Sequence, residues 1–231
     1  MSKLIIGLAG VKTSGKSTVA NVIKDMAPNA VESALADKLK NTCAEVFNLE
    51  RNQFDAQELK EVPFLALKTL TRENIESVLT SFGVQMSDTE FDEKYSGIIG
   101  LELDTPRRIA QIVGTEILRA TGNPDIHCDN VNTDGDIVII SDLRFPNEFE
   151  YFKRLSQTSL DVEFVPLYIQ RDTAEIVVDE NSHPSEKSVF LFRDGCIKVD
   201  NNGTIEDTSV RVRSLLFDYI YKGERNVAGI S

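Results

Sequence analysis

Cations, cysteines and histidines are scarce in this chain, and each shortage removes a class of function. Lysine and arginine number 25 against 37 aspartates and glutamates, a formal charge of −12. A general binder of nucleic acid or of an anionic membrane surface carries the opposite sign. Anionic small molecules stay open as ligands if cations gather locally. The three cysteines, Cys43, Cys128 and Cys196, are widely spaced with no C-x-x-C pair. Such spacing indicates neither a disulfide framework nor a zinc site, and free thiols in a reducing compartment are expected. Only His127 and His183 could supply an imidazole. No apolar run reaches the ~20 residues of a membrane span. Met1-Ser2-Lys3 leads into the first apolar run without a signal-peptide pattern. A soluble, cytoplasmic protein is expected.

What the chain does have begins at once. Residues 4–18 read LIIGLAGVKTSGKST, an apolar run followed by Gly10-Val11-Lys12-Thr13-Ser14-Gly15-Lys16-Ser17. This is the full G-x-x-x-x-G-K-[ST] pattern, with a strand before it and a helix-compatible run after it. Glycines let the backbone turn tightly, so that successive N–H groups converge on phosphate oxygens, and the following helix adds its positive end. In this pattern Lys16 reaches the β- and γ-phosphates and the Ser17 hydroxyl is a ligand for Mg²⁺. A glycine turn with a solvated lysine is the plain reading, and the strand-to-helix setting argues against it.

Farther along, residues 30–35 read as a short second strand and 36–47 as a helix. Residues 48–104 are acidic and without a strand-like run. They are expected to form a helical insertion, with a helix start at Thr71 and a stop at Phe82-Gly83. Thr105-Pro106 starts another helix, with threonine at the cap and proline in the first turn, running to about Ala120. Ile109, Ile112, Val113 and Ile117 supply its apolar side. Arg107, Arg108, Gln111, Gly114 and Thr115 lie near another stripe. That stripe suits an oxyanion and a base edge, or else is a solvated polar face. Gly114 costs ~1 kcal/mol against alanine inside a helix, which points to a close approach there.

Residues 136–141, DIVIIS, form the clearest buried strand, with Asp142 at its C-terminal end. Ligands of open α/β sheets bind off that edge. Asp142 has the position of a carboxylate that holds Mg²⁺ or its water, or else it caps the next helix. Arg144 is a phosphate-ligand candidate, with Glu148 as its salt-bridge partner. A strand over 162–170 precedes Arg171, and the polar stretch 172–194 is expected to be a lid. A last strand over 197–200, the turn Asn201-Asn202-Gly203-Thr204 and a final helix from Ile205 to about Tyr221 complete the chain. The alternating order implies a parallel sheet with helices on both faces, an α/β phosphate-loop NTPase fold of three layers. One domain is expected, with its core at 1–47 and 105–231.

GVKTSGKST, ALADKLK, TPRRIAQIVGTEILR, DLRFPNE, HPSE and NNGT, in this order, resemble the deoxynucleoside monophosphate kinases of tailed bacteriophages. The resemblance runs from the first strand to the last helix and is weakest across 48–104. It implies an adenylate-kinase-like fold and phosphoryl transfer from ATP to a deoxynucleoside monophosphate with Mg²⁺, in the host cytoplasm if the chain is phage-encoded. By resemblance, Ser14, Gly15, Lys16, Ser17 and Thr18 hold ATP and Lys12 reaches the acceptor phosphate. Arg108, Gln111, Gly114 and Thr115 line the monophosphate pocket with Ala36, Asp37 and Lys38. Asp142, Arg144 and Glu148 close it, with Lys16, Arg144, Arg171 and Asp142 carrying catalysis. Asn201, Asn202 and Gly203 resemble the turn that runs beside adenine. Relatives commonly place a tryptophan shortly after the G-T helix, followed by a long helix. Here that place reads Asp125-Ile126-His127-Cys128, where His127 is either a smaller base-packing residue or a loop histidine. Any homodimer built on the long helix would lack it here.

Other readings remain open on the residues alone. A small-molecule kinase of the dephospho-coenzyme A kinase type shares the loop, the carboxylate and the last turn. Against a nucleotide switch, no N-K-x-D motif follows a strand. Against a motor ATPase, Leu143 rather than glutamate follows Asp142. A binding module without turnover would not need Lys16, Ser17 and Asp142 together.

Overall fold

The computed structural model describes residues 3–56, 58–175 and 187–221. The expected lid therefore falls partly outside the described residues, and with it the whole HPSE segment, His183 included. The chain divides into two compact units, Met1–Leu35 with Asn132–Ser231, and Ala36–Val131.

The first, a sheet unit, is built on five parallel strands in the order β2-β5-β1-β6-β7. These are β1 (Lys3–Ala9), β2 (Val31–Ser33), β5 (Ile137–Leu143), β6 (Val162–Gln170) and β7 (Ile197–Asp200). Central β1 pairs with β5 on one side and with β6 on the other. A strand flanked on both sides and both faces needs a continuous apolar run, and six of the seven β1 residues are buried. Helix α1 (Lys16–Met26) lays Val19, Ala20, Val22, Ile23 and Met26 on the sheet, in one cluster with Val212 and Leu216 of the last helix, α9 (Ile205–Ile220). Each fully buried aliphatic side chain contributes roughly 1.5–3 kcal/mol. Helix α7 (Pro146–Thr158) packs on β6 through Phe149, Phe152 and Phe164. Because all pairings are parallel, the C-terminal ends of the five strands share one edge.

The second, helical unit has its own core. Helices α2 (Asp37–Val46), α3 (Arg72–Ser81), α4 (Asp88–Tyr95) and α5 (Pro106–Ile112) and the short α6 (Ile126–Asp129) enclose one apolar cluster. That cluster includes Leu39, Phe54, Ile75, Phe91, Tyr95, Ile109 and Ile117. The unit therefore reaches beyond 48–104 at both ends, because α2 and α5 supply part of its core. It also contains a two-residue antiparallel ladder, β3 (Lys68–Thr69) with β4 (Glu102–Leu103), too short to leave an apolar signature in sequence. Thr71 caps α3, and Gly83 takes φ 70° just past its end, as the start and stop residues imply.

The helix from Thr105 changes character midway. Its α-helical part ends at Ile112, and Val113–Leu118 continues as a π-helical turn. Side chains cover the carbonyls at its end. Tyr95 Oη donates to Ile117 O at 3.1 Å, Thr121 Oγ1 to Leu118 O at 2.7 Å, and Lys94 Nζ to Ala120 O at 3.1 Å. No described helix is long and apolar enough to cross a membrane.

Candidate active site

The phosphate loop joins β1 to α1 through three residues of positive φ: Gly10 at 146°, Thr13 at 65° and Gly15 at 100°. Two of the three are glycines. A Cβ on Gly10 would lie 2.6 Å from Ser14 Oγ and 2.8 Å from Ile169 O, so no larger residue fits. Lys16 folds back over the loop, and its Nζ donates to Gly10 O at 2.6 Å and Val11 O at 2.9 Å. The ammonium is thereby held inside the loop's arc, where phosphate oxygens would otherwise meet only amide hydrogens. Ser14 is fully buried and contributes main chain; Lys12, Thr13 and Ser17 are exposed, and Thr18 is half-buried on the first turn of α1.

The same strand edge carries the other sheet-unit candidates. Asp142 lies within the last residues of β5, and its Oδ1 accepts the Leu35 N–H at 2.6 Å. The next helix is capped from its third residue instead. Glu148, buried to 5%, accepts the backbone N–H groups of Arg144 and Phe145 at 2.8 and 2.9 Å. Its grip on Arg144 is thus through main chain, which corrects the salt bridge expected from sequence. Arg171 follows β6, and the turn 201–203 follows β7.

Guanidinium pairing sets a few residues apart. Arg51, Arg72, Arg107, Arg193, Arg211 and Arg213 are all ion-paired. Among the described residues, the guanidinium groups of Arg108, Arg144 and Arg171 have no hydrogen bond or ion pair. In a chain with 37 carboxylates, an exposed and unpaired fork is the kind of cation that an anionic ligand needs. Arg144 and Arg171 stand at the phosphate-loop edge of the sheet unit.

In the helical unit, Arg108 and Thr115 are exposed and Gln111 is half-buried, while Ile109, Ile112, Val113 and Ile117 are buried, so the two stripes separate as the spacing implies. Gly114 is buried, and a Cβ there would lie 3.2 Å from Leu39 Cδ2. The close approach is therefore α2, whose Leu39 side chain lies over the helix. Ala36 precedes α2, and Asp37 in its first turn accepts Arg51 Nη2 at 2.8 Å. Lys38 Nζ donates to Asn130 Oδ1 at 2.8 Å and lies 5.3 Å from the Phe82 ring centroid. His127 meets the same ring edge-on, with centroids 6.2 Å apart. Burial, with a smaller push from Arg119, lowers its pKa to about 4, against a hydrogen bond to the Gly114 backbone that favours the charged form. His127 is therefore neutral at pH 7, and its buried Nδ1 has no partner among the described residues. Burial pushes the thiols of Cys43 and Cys196 up to about 12, which leaves them poor nucleophiles.

Sequence reasoning missed the side-chain partners that hold these groups. Asn201 Nδ2 donates to Ser14 O at 2.6 Å across 187 positions, and no local pattern announces such a pair. The signal for Glu148 was there: proline at the first helical position with glutamate two residues later marks an N-terminal cap.

No family model matches the chain. It is 28% identical over 222 residues to a protein of Acanthamoeba polyphaga mimivirus that carries the provisional name deoxynucleotide monophosphate kinase, covering 88% of this chain and 91% of that one. It is 24% identical over 216 residues to the deoxynucleoside-5'-monophosphate kinase of Escherichia phage T5, covering 80% of this chain and 85% of the relative. Among solved structures, TT1252 from Thermus thermophilus aligns over 94% of this chain and 98% of its own at 16% identity. Its TM-score of 0.33 is too low to carry a fold argument.

Proposed function

We propose that the chain transfers the γ-phosphoryl group of ATP to the 5'-phosphate of a deoxynucleoside monophosphate, in the cytoplasm where deoxynucleotides are made. The observation that carries this reading is the pairing of a complete phosphate loop with unpaired arginines at one sheet edge, Arg144 and Arg171. The two viral relatives, matched over most of their length, bear kinase names that specify the acceptor.

The loop suits a triphosphate, since its positive-φ glycines leave no room for a Cβ on Gly10 and the Lys16 ammonium already sits among its carbonyls. Ser17 and Asp142 offer hard oxygens of the kind Mg²⁺ takes, and that ion neutralises charge on the phosphate oxygens when bound. The acceptor needs no protein base. A monophosphate with a second pKa near ~6 is already a dianionic nucleophile at neutral pH. The chain's part is alignment and charge neutralisation. Gly15 N–H, Lys16, Ser17 and Thr18 hold the donor phosphates. Lys12, Arg108 and Arg144 hold the acceptor phosphate, and Arg171 steadies the group in flight. Gln111, Gly114, Thr115 and His127, with Ala36, Asp37 and Lys38, address the acceptor's sugar and base. Asn202 and Gly203 run beside the donor's adenine.

The test is ADP release from ATP and Mg²⁺ with each of the four deoxynucleoside monophosphates, the ribonucleotides and dephospho-coenzyme A. Turnover with at least one deoxynucleotide is expected. Turnover with dephospho-coenzyme A alone, or with no acceptor, overturns the reading.

A further inference from the structure

We propose that Asn201 is a positioning residue for the phosphate loop, acting from beneath it through the Ser14–Gly15 peptide rather than by touching the nucleotide's base. The inference rests on the loop being the donor's phosphate site.

Asn201 is 8% exposed, and both ends of its amide are used. Nδ2 donates to Ser14 O at 2.6 Å, and Oδ1 accepts from Thr208 Oγ1 at 2.6 Å. Thr208 is fully buried on the first turns of α9, and its hydroxyl also lies 3.2 Å from Thr204 O. The Ser14 carbonyl can only accept, so the NH₂ end of the amide must face the loop, and the Thr208 hydroxyl satisfies Oδ1 in that orientation.

The consequence follows from peptide geometry. No peptide bond among the described residues is cis. In a trans peptide the C=O and the following N–H point in opposite directions. Fixing the Ser14 carbonyl on Asn201 therefore aims the Gly15 N–H away from Asn201, and that N–H has no acceptor among the described residues. A converging N–H is what a phosphate loop uses. Gly15 answers the same contact. Its φ of 100° favours glycine, and a Cβ there would run into Asn201 Nδ2. The glycine of the motif and the buried asparagine are thus two halves of one fitting.

The support for Asn201 is itself rigid. Its N–H donates to Gln170 O at 2.8 Å, extending the β6–β7 pairing, and Asn202 Oδ1 accepts the Asp172 N–H at 2.9 Å. The turn that follows β7 thereby connects the loop to the start of α8 (Asp172–Glu175), one residue past Arg171.

The experiment measures binding of inorganic tripolyphosphate, ATP and adenosine to the full chain by calorimetry, for wild type, Asn201→Asp, Thr208→Val and Thr208→Ser. Asn201→Asp sets a carboxylate against the Ser14 carbonyl. Thr208→Val is nearly isosteric and removes the hydroxyl that holds Oδ1, which loosens the amide's hold on the Ser14 carbonyl, so it reads the effect should Asn201→Asp fail to fold. Both are expected to weaken tripolyphosphate and ATP roughly tenfold or more, the scale of a lost buried hydrogen bond. Adenosine affinity should stay at wild type, and Thr208→Ser should restore tripolyphosphate binding. Unchanged tripolyphosphate binding in Thr208→Val overturns the proposal, and so does a loss of adenosine equal to that of ATP. Failure of the kinase reading shows separately, as absence of transfer by the wild-type chain that still binds tripolyphosphate.

Discussion

In the sheet unit the candidate anion site centres on main chain, the loop bent by Gly10, Thr13 and Gly15 with one lysine laid across it, and Arg144 and Arg171 flank it on the same edge. In the helical unit the candidates are side chains: Arg108 and Thr115 exposed on one face, Lys38 and His127 gathered on Phe82. The difference has a physical root. A backbone site demands particular φ values, and only a few residue types supply them, so it prints itself in the sequence. A side-chain site demands only that the fold bring suitable groups together, and many sequences do that. The first kind is stiff and intolerant, the second adaptable.

The sharpest break between the two units should come from Lys16→Ala. Removing the charge that the loop holds on Gly10 O and Val11 O is expected to lower kcat by roughly 10³-fold, an effect of several kcal/mol on the transition state. The melting temperature should stay near wild type, since α1 keeps its five buried residues. Near-normal turnover would remove the phosphate loop from the chemistry and erase the contrast.

A smaller effect belongs to the helical unit alone and concerns His127. Its folded pKa, about 4, lies below the ordinary 6.5 because burial disfavours the imidazolium and Arg119 adds to this. The unfolded chain therefore binds more protons than the folded one between these values, so stability rises with pH across that window. It is fully present above 6.5 and is lost as pH falls toward 4, by on the order of 2–3 kcal/mol. Denaturant titrations of wild type and His127→Gln at pH 7, 5.5 and 4.5 give the check. The wild type should lose more stability than the variant. Equal slopes would mean that the ring is hydrated after all.

These two cases also mark how far the sequence could be read. The strand-loop-helix at the start, β6, β7 and the caps of α3 and α9 are local features, written in alternation, apolar runs and capping residues. They fall within a residue or two of the expected bounds. What stayed hidden is non-local. Gly114 inside a helix implies a close approach, but no local pattern names Leu39, 75 positions earlier, as the neighbour. The passage from α- to π-helical geometry at Val113 has no local signature, and the side chains that meet the carbonyls at its far end, Tyr95, Thr121 and Lys94, come from other segments or from beyond it. The helical unit's reach into α2 and α5 was hidden for the same reason, because composition marks a segment but not what it packs against.

The last and smallest effect sets one arginine from each unit against the other. Arg144 stands two residues past Asp142 at the sheet edge, its backbone pinned by Glu148 while its guanidinium is unpaired among the described residues. Arg108 stands in the first turn of α5, its N–H capped by Thr105 Oγ1 at 3.2 Å, and its guanidinium is likewise unpaired. Each is held by main chain and spends nothing of its fork on the protein. A guanidinium grips phosphate through two parallel N–H groups, which an ammonium cannot copy. Arg144→Lys and Arg108→Lys are each expected to raise the acceptor's KM by roughly tenfold, about 1.4 kcal/mol, with kcat reduced less. The two should then diverge. Arg144 lies in a backbone-fixed turn where a lysine cannot shift to compensate, so its loss should be the larger. Titration with a non-hydrolysable ATP analogue alone should give near-wild-type affinity for both variants. If the analogue's affinity falls as far as the acceptor's, the two arginines serve the donor. If Arg108→Lys proves the more damaging, then the helical unit is the stiffer of the two at its anion site, and the contrast drawn from backbone and side chain runs the other way.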